Sequence, residues 1–236
     1  MEFQSPLIRA KLLRRYKRFL ADVLLPDGRE VTAHCANPGS MMGLLGDDVF
    51  AWVEPNEDPK KKLKFAWRIA EMGDGAMVLV DTAQANRIVR EGLEKNAIAE
   101  FANQTFRPEV KYGDGSRIDF LLSDDAGRLT YLEVKSVTLS RAKGHAEFPD
   151  SVTARGTKHL NELANVVESG ARAVLFYVLN RTDCDQVSIA SDIDPAYADA
   201  LDRARSAGVD VLCYRSEVSA NRITLGPRVA FQPADR

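Results

Sequence analysis

Ser116–Leu139, SRIDFLLSDDAGRLTYLEVKSVTL, carries an Asp, a Glu and a Lys on what reads as one β-hairpin: Asp119, Glu133 and Lys135. Ile118, Phe120, Leu121 and Leu122 surround Asp119 in a nearly continuous apolar run, the pattern of a strand covered on both faces, which places Asp119 inside. The second run, Leu129 to Val134, is rich in apolar and β-branched residues. Between the two, Asp125-Ala126-Gly127 suits a three-residue loop with Gly127 in the left-handed region. Pairing Asp124 with Arg128 at the loop ends sets Asp119 opposite Glu133, with Cβ atoms roughly 5 Å apart on one face. Lys135 follows Glu133 on that face at about 7 Å, while Val134 points into the other layer.

On an exposed hairpin such a trio would be a cross-strand salt bridge worth about 0–1 kcal/mol. Burial changes the balance. Each buried carboxylate costs several kcal/mol and one Lys cannot neutralise two, so a divalent cation or a raised pKa is required. The cation is the preferred reading. Mg²⁺ (or Mn²⁺) is hard, takes oxygen ligands, and commonly uses one or two carboxylates with waters and substrate phosphate oxygens. Phosphodiester cleavage fits it: the ion polarises the scissile phosphate and acidifies a bound water, while Lys135 orients that water or offsets transition-state charge.

With 236 residues, 45% hydrophobic and 28% charged, the chain is globular and long enough for two small domains. MEFQSPLIRAK has no apolar core of signal-peptide length and nowhere do eighteen apolar residues run together, so a cytoplasmic protein without membrane spans is expected. Cys35, Cys184 and Cys213 are scattered and odd in number, which suits reduced buried thiols and offers no zinc spacing. The net charge of −2 excludes a globally basic nucleic-acid binder, so any contact with DNA (or RNA) must be local. RAKLLRRYKR, residues 9 to 18, supplies six basic residues and no acid, and KKKLK covers 60 to 64. The stretch from Asp183 to Glu217 carries many acids, and this lopsided charge would steer the N-terminal end onto phosphate. Arg14, Arg15, Tyr16, Lys17 and Arg18 are therefore the expected contacts of the first run, Tyr16 being the one aromatic assigned to stacking. Trp52, Phe65 and Trp67 are assigned chiefly to a barrel core.

From Phe19 to Thr82, short strand-like runs alternate with turns such as Pro26-Asp27-Gly28 and Asn37-Pro38-Gly39, the rhythm of a small closed barrel. Near Ala83 the period becomes helical, with Ile88, Val89, Leu93 and Ile98 on one face, so the expected domains are 1–83 and 84–236. The second reads helix, strand, hairpin, helix (about 151–169), strand AVLFYVL, helix, strand VDVLCYR, a mixed sheet flanked by helices. Asp194-Pro195 starts its last helix and Gly208 ends it. In FPDSVTARGTKHLNEL, Arg155 and His159 lie four apart on one helical face with Lys158 close by, a stripe suited to phosphates; Arg117, two residues before Asp119, is expected to serve likewise. No GxxxxGK, GxGxxG or GxSxG occurs, which argues against P-loop, dinucleotide and hydrolase-elbow chemistry.

The D…ExK hairpin resembles the PD-(D/E)XK nuclease superfamily, with Ile118-Asp119 where Pro-Asp is usual. AHCANPGSMMGLL, VKYGDGSRIDFLL, YLEVKSVTL, FPDSVTARGTKHLNEL and IDPAYADAL together resemble the sugar fermentation stimulation protein A (SfsA) family almost end to end. The resemblance implies an α/β (α+β) chain: an N-terminal OB-like small β-barrel, then a PD-(D/E)XK nuclease-like domain. It further implies non-specific DNA binding and a regulatory role in sugar (maltose) metabolism. Under it, Asp119 and Glu133 become cation ligands, Lys135 the catalytic cation, the Val134 carbonyl a further oxygen, and Glu91, in an NRxVxE pattern, a ligand from the first helix, with Glu94 and Glu100 competing for that place. Two readings result: a Mg²⁺-dependent nuclease, or a catalytically silent DNA-binding regulator that keeps the nuclease fold for docking.

Overall fold

In the computed structural model of the chain, the described residues are 1–233, so 234–236 of the second expected domain lie outside them. Alternation builds the first third. In β1 (Ile8–Tyr16), Ala10 and Leu12 point inward between exposed Arg9 and Lys11; β2 (Leu20–Leu24) buries Ala21 and Val23, and β3 (Glu30–Cys35) buries Ala33 and Cys35. β4 (Phe50–Pro55) and β5 (Phe65–Glu71) extend the order to β3-β2-β1-β4-β5, and β5 pairs back onto β3 through Ala33↔Phe65 and Cys35↔Trp67, closing a five-stranded barrel. Small inward residues leave room for Trp67, whose fully buried indole donates to the Ile69 carbonyl at 2.8 Å. β6 (Met77–Leu79) pairs with β5 and ties the barrel to the second half of the chain: Leu79 N–H donates to the Asn180 carbonyl at 2.8 Å and Thr182 N–H to the Met77 carbonyl at 3.0 Å.

α1 (Ala83–Glu94) opens the second unit, followed by β7 (Thr105–Tyr112), β8 (Ser116–Ser123), β9 (Leu129–Val137), β10 (Leu139–Ala142) and β11 (Gly144–Phe148). Then come α2 (Ala154–Glu168), β12 (Arg172–Leu179), β13 (Cys184–Ile189), α3 (Pro195–Ser206), β14 (Asp210–Val218), β15 (Ile223–Arg228) and β16 (Ala230–Phe231). A six-stranded mixed sheet runs β15-β14-β12-β9-β8-β7; its centre, β9-β12-β14, is parallel and its flanks antiparallel. Seven of the eight residues of β12 are buried, as a strand covered on both faces requires. Ile88, Val89 and Leu93 of α1 cover one face, and Leu160, Leu163, Tyr197 and Leu201 of α2 and α3 cover the other. The expected flanked mixed sheet is therefore present. A second sheet, β10-β11-β13-β16, is not expected from the sequence: beyond the antiparallel pair β10–β11, its short, half-polar strands pair in parallel across some forty residues, as in Ala146↔Val187, and leave little local signal.

Asp194 accepts from Tyr197 N–H at 3.0 Å with Pro195 in the first turn of α3, and Gly208 follows its end at φ 106°. The three cysteines are buried and unpaired. Among the described residues, no helix is long and apolar enough to cross a membrane.

The fully buried Tyr177 and Tyr197 hydroxyls bond each other at 2.7 Å between β12 and α3. Tyr177→Phe strands its partner in apolar surroundings and should cost about 1–3 kcal/mol, read as a lower urea midpoint. An unchanged midpoint would show that the pair adds nothing.

Candidate active site

The hairpin has the expected register. Asp124 N–H bonds the Arg128 carbonyl at 3.2 Å, Gly127 has φ 76°, and the ladder runs from Ser123↔Leu129 to Phe120↔Leu132. One more step sets Asp119 across from Glu133, but there the strands part: β8 stays with β7, while β9 continues along β12. The apolar alternation of β8 breaks at the same place, since Ile118 packs toward α2 and α3 whereas Phe120 and Leu122 pack under α1. Asp119 stands in the split. Val134 N–H, beyond the last ladder pair, donates to its Oδ2 at 2.7 Å, and Asn86 Nδ2 of α1 donates to Oδ1 at 2.7 Å. Burial, with the neighbouring charge of Glu133, pushes the Asp119 carboxyl up to about 6.

Glu133 lies deeper, at 2% exposure, and faces α2. Its Oε1 accepts from Lys135 Nζ at 2.6 Å and from His159 Nδ1. Arg155 Nε approaches His159 Nε2 at 3.4 Å, so the tautomer that satisfies both neighbours carries its proton on Nδ1. Although burial works against its charge, the His159 hydrogen bond and the Lys135 ammonium hold Glu133 below the usual carboxylate range. Its second oxygen, Oε2, is buried with no hydrogen-bond partner. An enclosed oxygen without a donor, beside a carboxyl destabilised by its neighbour's charge, is a donor set suited to a hard divalent ion; Asp119 and Glu133 could hold it.

These groups line a cleft of about 420 Å³ between the barrel and the second unit. Asn37, Pro38 and Gly39 form the barrel-side wall, and Ser151, Val152, Thr153 and Arg155 stand opposite. Asn37 is a buried turn residue: its Nδ2 donates to the Val80 carbonyl at 3.0 Å and its Oδ1 accepts from Gly39 N–H at 2.9 Å.

The structure thus brings together Asp119, Glu133, Val134, Lys135, Arg155 and His159. His159 is a correction in kind: at 5% exposure it supports Glu133 from beneath and is not part of an exposed phosphate stripe. Lys158 turns away, donating to the Asp114 carbonyl at 2.7 Å. Arg117 is exposed near the β7–β8 turn and does not line the cleft, because the face alternation changes at Asp119. Glu91 is also elsewhere: the Met1 ammonium binds it at 2.8 Å and Lys95 at 2.6 Å. Asn86, which sequence reasoning missed, is the α1 residue that reaches Asp119; Glu91 is five residues on, about 140° around the helix.

In the basic run, Arg14 pairs with Asp22 at 2.8 Å and lies 4.8 Å over the Tyr16 ring, whose hydroxyl also bonds Asp22 at 3.1 Å. That ring face is already covered. Half-buried Arg15 holds the carbonyls of Asn37 and Gly39 at 2.9 and 3.0 Å, a structural task sequence did not suggest. Lys17 and Arg18 remain exposed at the β1–β2 turn.

The family described as the sugar fermentation stimulation protein RE domain matches residues 83–222, and the SfsA N-terminal OB domain matches residues 13–80. The chain belongs to the sugar fermentation stimulation protein family. The SfsA homolog of Ruegeria sp. (strain TM1040) is 56% identical over 96% of this chain and 98% of its own, and that of Paramagnetospirillum magneticum is 45% identical over the whole of both. Pyrococcus furiosus SfsA, whose structure is of its complex with Ca²⁺, superposes with a TM-score of 0.88 over 98% of each chain at 24% identity. The SfsA architecture is thus an OB barrel followed by a mixed α/β unit.

Proposed function

We propose that the chain is a divalent-cation-dependent nuclease that hydrolyses phosphodiester bonds of DNA bound along the barrel and cleft. The observation carrying this reading is the strand split, where Asp119 is fixed by Val134 N–H and Asn86 while Glu133, whose buried Oε2 has no partner, lines the same cleft. Mg²⁺ or Mn²⁺, when bound, would supply Lewis acidity toward the phosphate. The Ca²⁺ complex of the Pyrococcus furiosus relative suits such a hard-cation site. Lys135, on Glu133 and beside the cleft, can neutralise charge developing on phosphoryl oxygens. His159 positions Glu133, and Arg155 at the rim offers a planar donor fork to a neighbouring phosphate.

The second reading, a catalytically silent DNA-binding regulator of sugar metabolism genes, draws on a specific observation. Among the described residues no cluster of three or more acid, His or Cys side chains stands ready for a metal, and Lys135 already neutralises Glu133. Incubating the protein with DNA and RNA, single- and double-stranded, with Mg²⁺ or Mn²⁺ separates the two. The nuclease reading expects cleavage that Lys135→Ala lowers by about 10²–10³-fold. Absence of cleavage on every substrate favours the silent regulator, and cleavage undiminished in the variant removes Lys135 from the proposed machinery.

A further inference from the structure

The barrel-side wall of the cleft is clamped. Ser40 Oγ donates to the Asp150 carbonyl at 2.6 Å, Met41 N–H donates to Asp150 Oδ2 at 2.9 Å, and Arg15 grips the loop carbonyls from behind. A methyl group at Gly39 would overlap the Asp150 carboxylate, so the two sides meet with no room for a larger residue. This wall is not a lid that swings aside. A fixed cleft of about 420 Å³, with Glu133 on its floor, is at the lower end of the range for small-molecule sites, about 300–1,000 Å³, and holds roughly one nucleotide. A cleft of that size admits a single extended strand, and the second strand of a duplex would have to stay outside its mouth. Val152, which also lines the cleft, is 75% exposed and offers an apolar side chain to a base.

A second cavity, of about 520 Å³, opens on the far side of one thin seam. The seam is the contact of Ala36–Asn37 with residues 81–83, in which Thr82 N–H and Oγ1 both donate to the Ala36 carbonyl at 3.1 and 3.2 Å. Asn37 and Thr82 line the cleft, whereas Ala36 and Ala83 line the second cavity. Around that cavity stand exposed His34, Lys61 and Lys62 and the half-buried ring of Phe65; Glu54 and Asp81 line it too, both already paired with Arg68. Cations beside an aromatic face are what a phosphate and its stacked base require.

We infer that the cleft accepts one strand at a time, and that this strand crosses the Ala36–Thr82 seam to lodge a neighbouring nucleotide in the cavity of His34, Lys61, Lys62 and Phe65. The ligand class is single-stranded polynucleotide, and its cleavage, though not its binding, rests on the nuclease reading above.

The test is fluorescence anisotropy of the full chain in EDTA with a labelled single-stranded DNA, an RNA of the same sequence and a blunt duplex, followed by cleavage of each with Mn²⁺. Single strands should bind roughly tenfold more tightly than the duplex, and Lys61→Ala with Lys62→Ala, both exposed, should weaken them by about tenfold. That double variant should also flatten the salt slope by about 1.4, at about 0.7 per lost phosphate contact. RNA bound as tightly as DNA supports the path without sugar discrimination. Equal affinity for the duplex, or no change in the double variant, overturns the path. Cuts in the duplex interior at the single-strand rate overturn it while leaving the nuclease reading intact. Strand-selective binding with no cleavage of any substrate supports the path and removes the nuclease reading instead.

Discussion

Asp119→Asn should make the ion-free protein more stable at neutral pH while removing Mn²⁺-dependent cleavage, by about 10³-fold or more. The stability gain follows from burial and the charge of Glu133, which push the Asp119 carboxyl up to about 6 in the folded chain, against roughly 3.9 for an unperturbed Asp. Below the lower value both folded and unfolded chains carry the proton and nothing is lost. As pH rises between the two values, the unfolded chain releases its proton first, so stability falls; above the higher value the full cost is present, on the order of 3 kcal/mol. Asn keeps an acceptor for Val134 N–H and carries no charge, so it escapes that cost. Urea midpoints in EDTA at pH 4.5 and 7.5 check this: the variant's advantage should grow with pH, and an advantage that ignores pH contradicts it. Restoring Mn²⁺ should raise the wild-type midpoint and leave the variant's unmoved.

Arg68→Met should lower stability by about 3–5 kcal/mol without touching the cleft. The Arg68 guanidinium lies between buried Glu54, at 2.7 Å, and buried Asp81, joining β4 and β5 to the start of α1. Both carboxylates have other tasks: Glu54 accepts from Gln4 N–H at 2.7 Å, and Asp81 accepts from Ala83 N–H at 3.1 Å. Removing the cation leaves two enclosed negative charges, which a well-packed methionine cannot compensate. A fall of about 10 °C in the thermal midpoint is expected, with part regained when Glu54→Gln and Asp81→Asn are added. A midpoint within a degree or so of wild type would show that the clamp is not what joins barrel and helix.

The hairpin was legible because its signals are local. Gly127, the Asp124–Arg128 pairing and the apolar runs on either side determine one register, and that register sets Asp119 against Glu133. The barrel was legible for the same reason, since alternation in β1 to β3 and the turns between them require no distant partner. What stayed hidden depends on which face a helix presents. Arg155 and His159 share the spacing of an exposed stripe, yet the side of α2 that carries His159 turns toward β9, so the imidazole meets a buried acid. Asn86 and Glu91 both belong to α1, and only packing against the split of β8 and β9 decides that the amide arrives and the carboxylate does not. Arg15 looked like its basic neighbours until the fold of the 37–40 loop gave it three carbonyls to hold. In each case the sequence names the chemistry of the side chain, and long-range packing decides its partner.

The most direct test is a crystal of the wild-type chain soaked in Mn²⁺ and measured at the manganese absorption edge. The account predicts an anomalous peak in the cleft between the Asp119 carboxylate and Glu133 Oε2, absent from Asp119→Asn crystals grown alike. Manganese bound only elsewhere, with these two carboxylates turned apart, would contradict it.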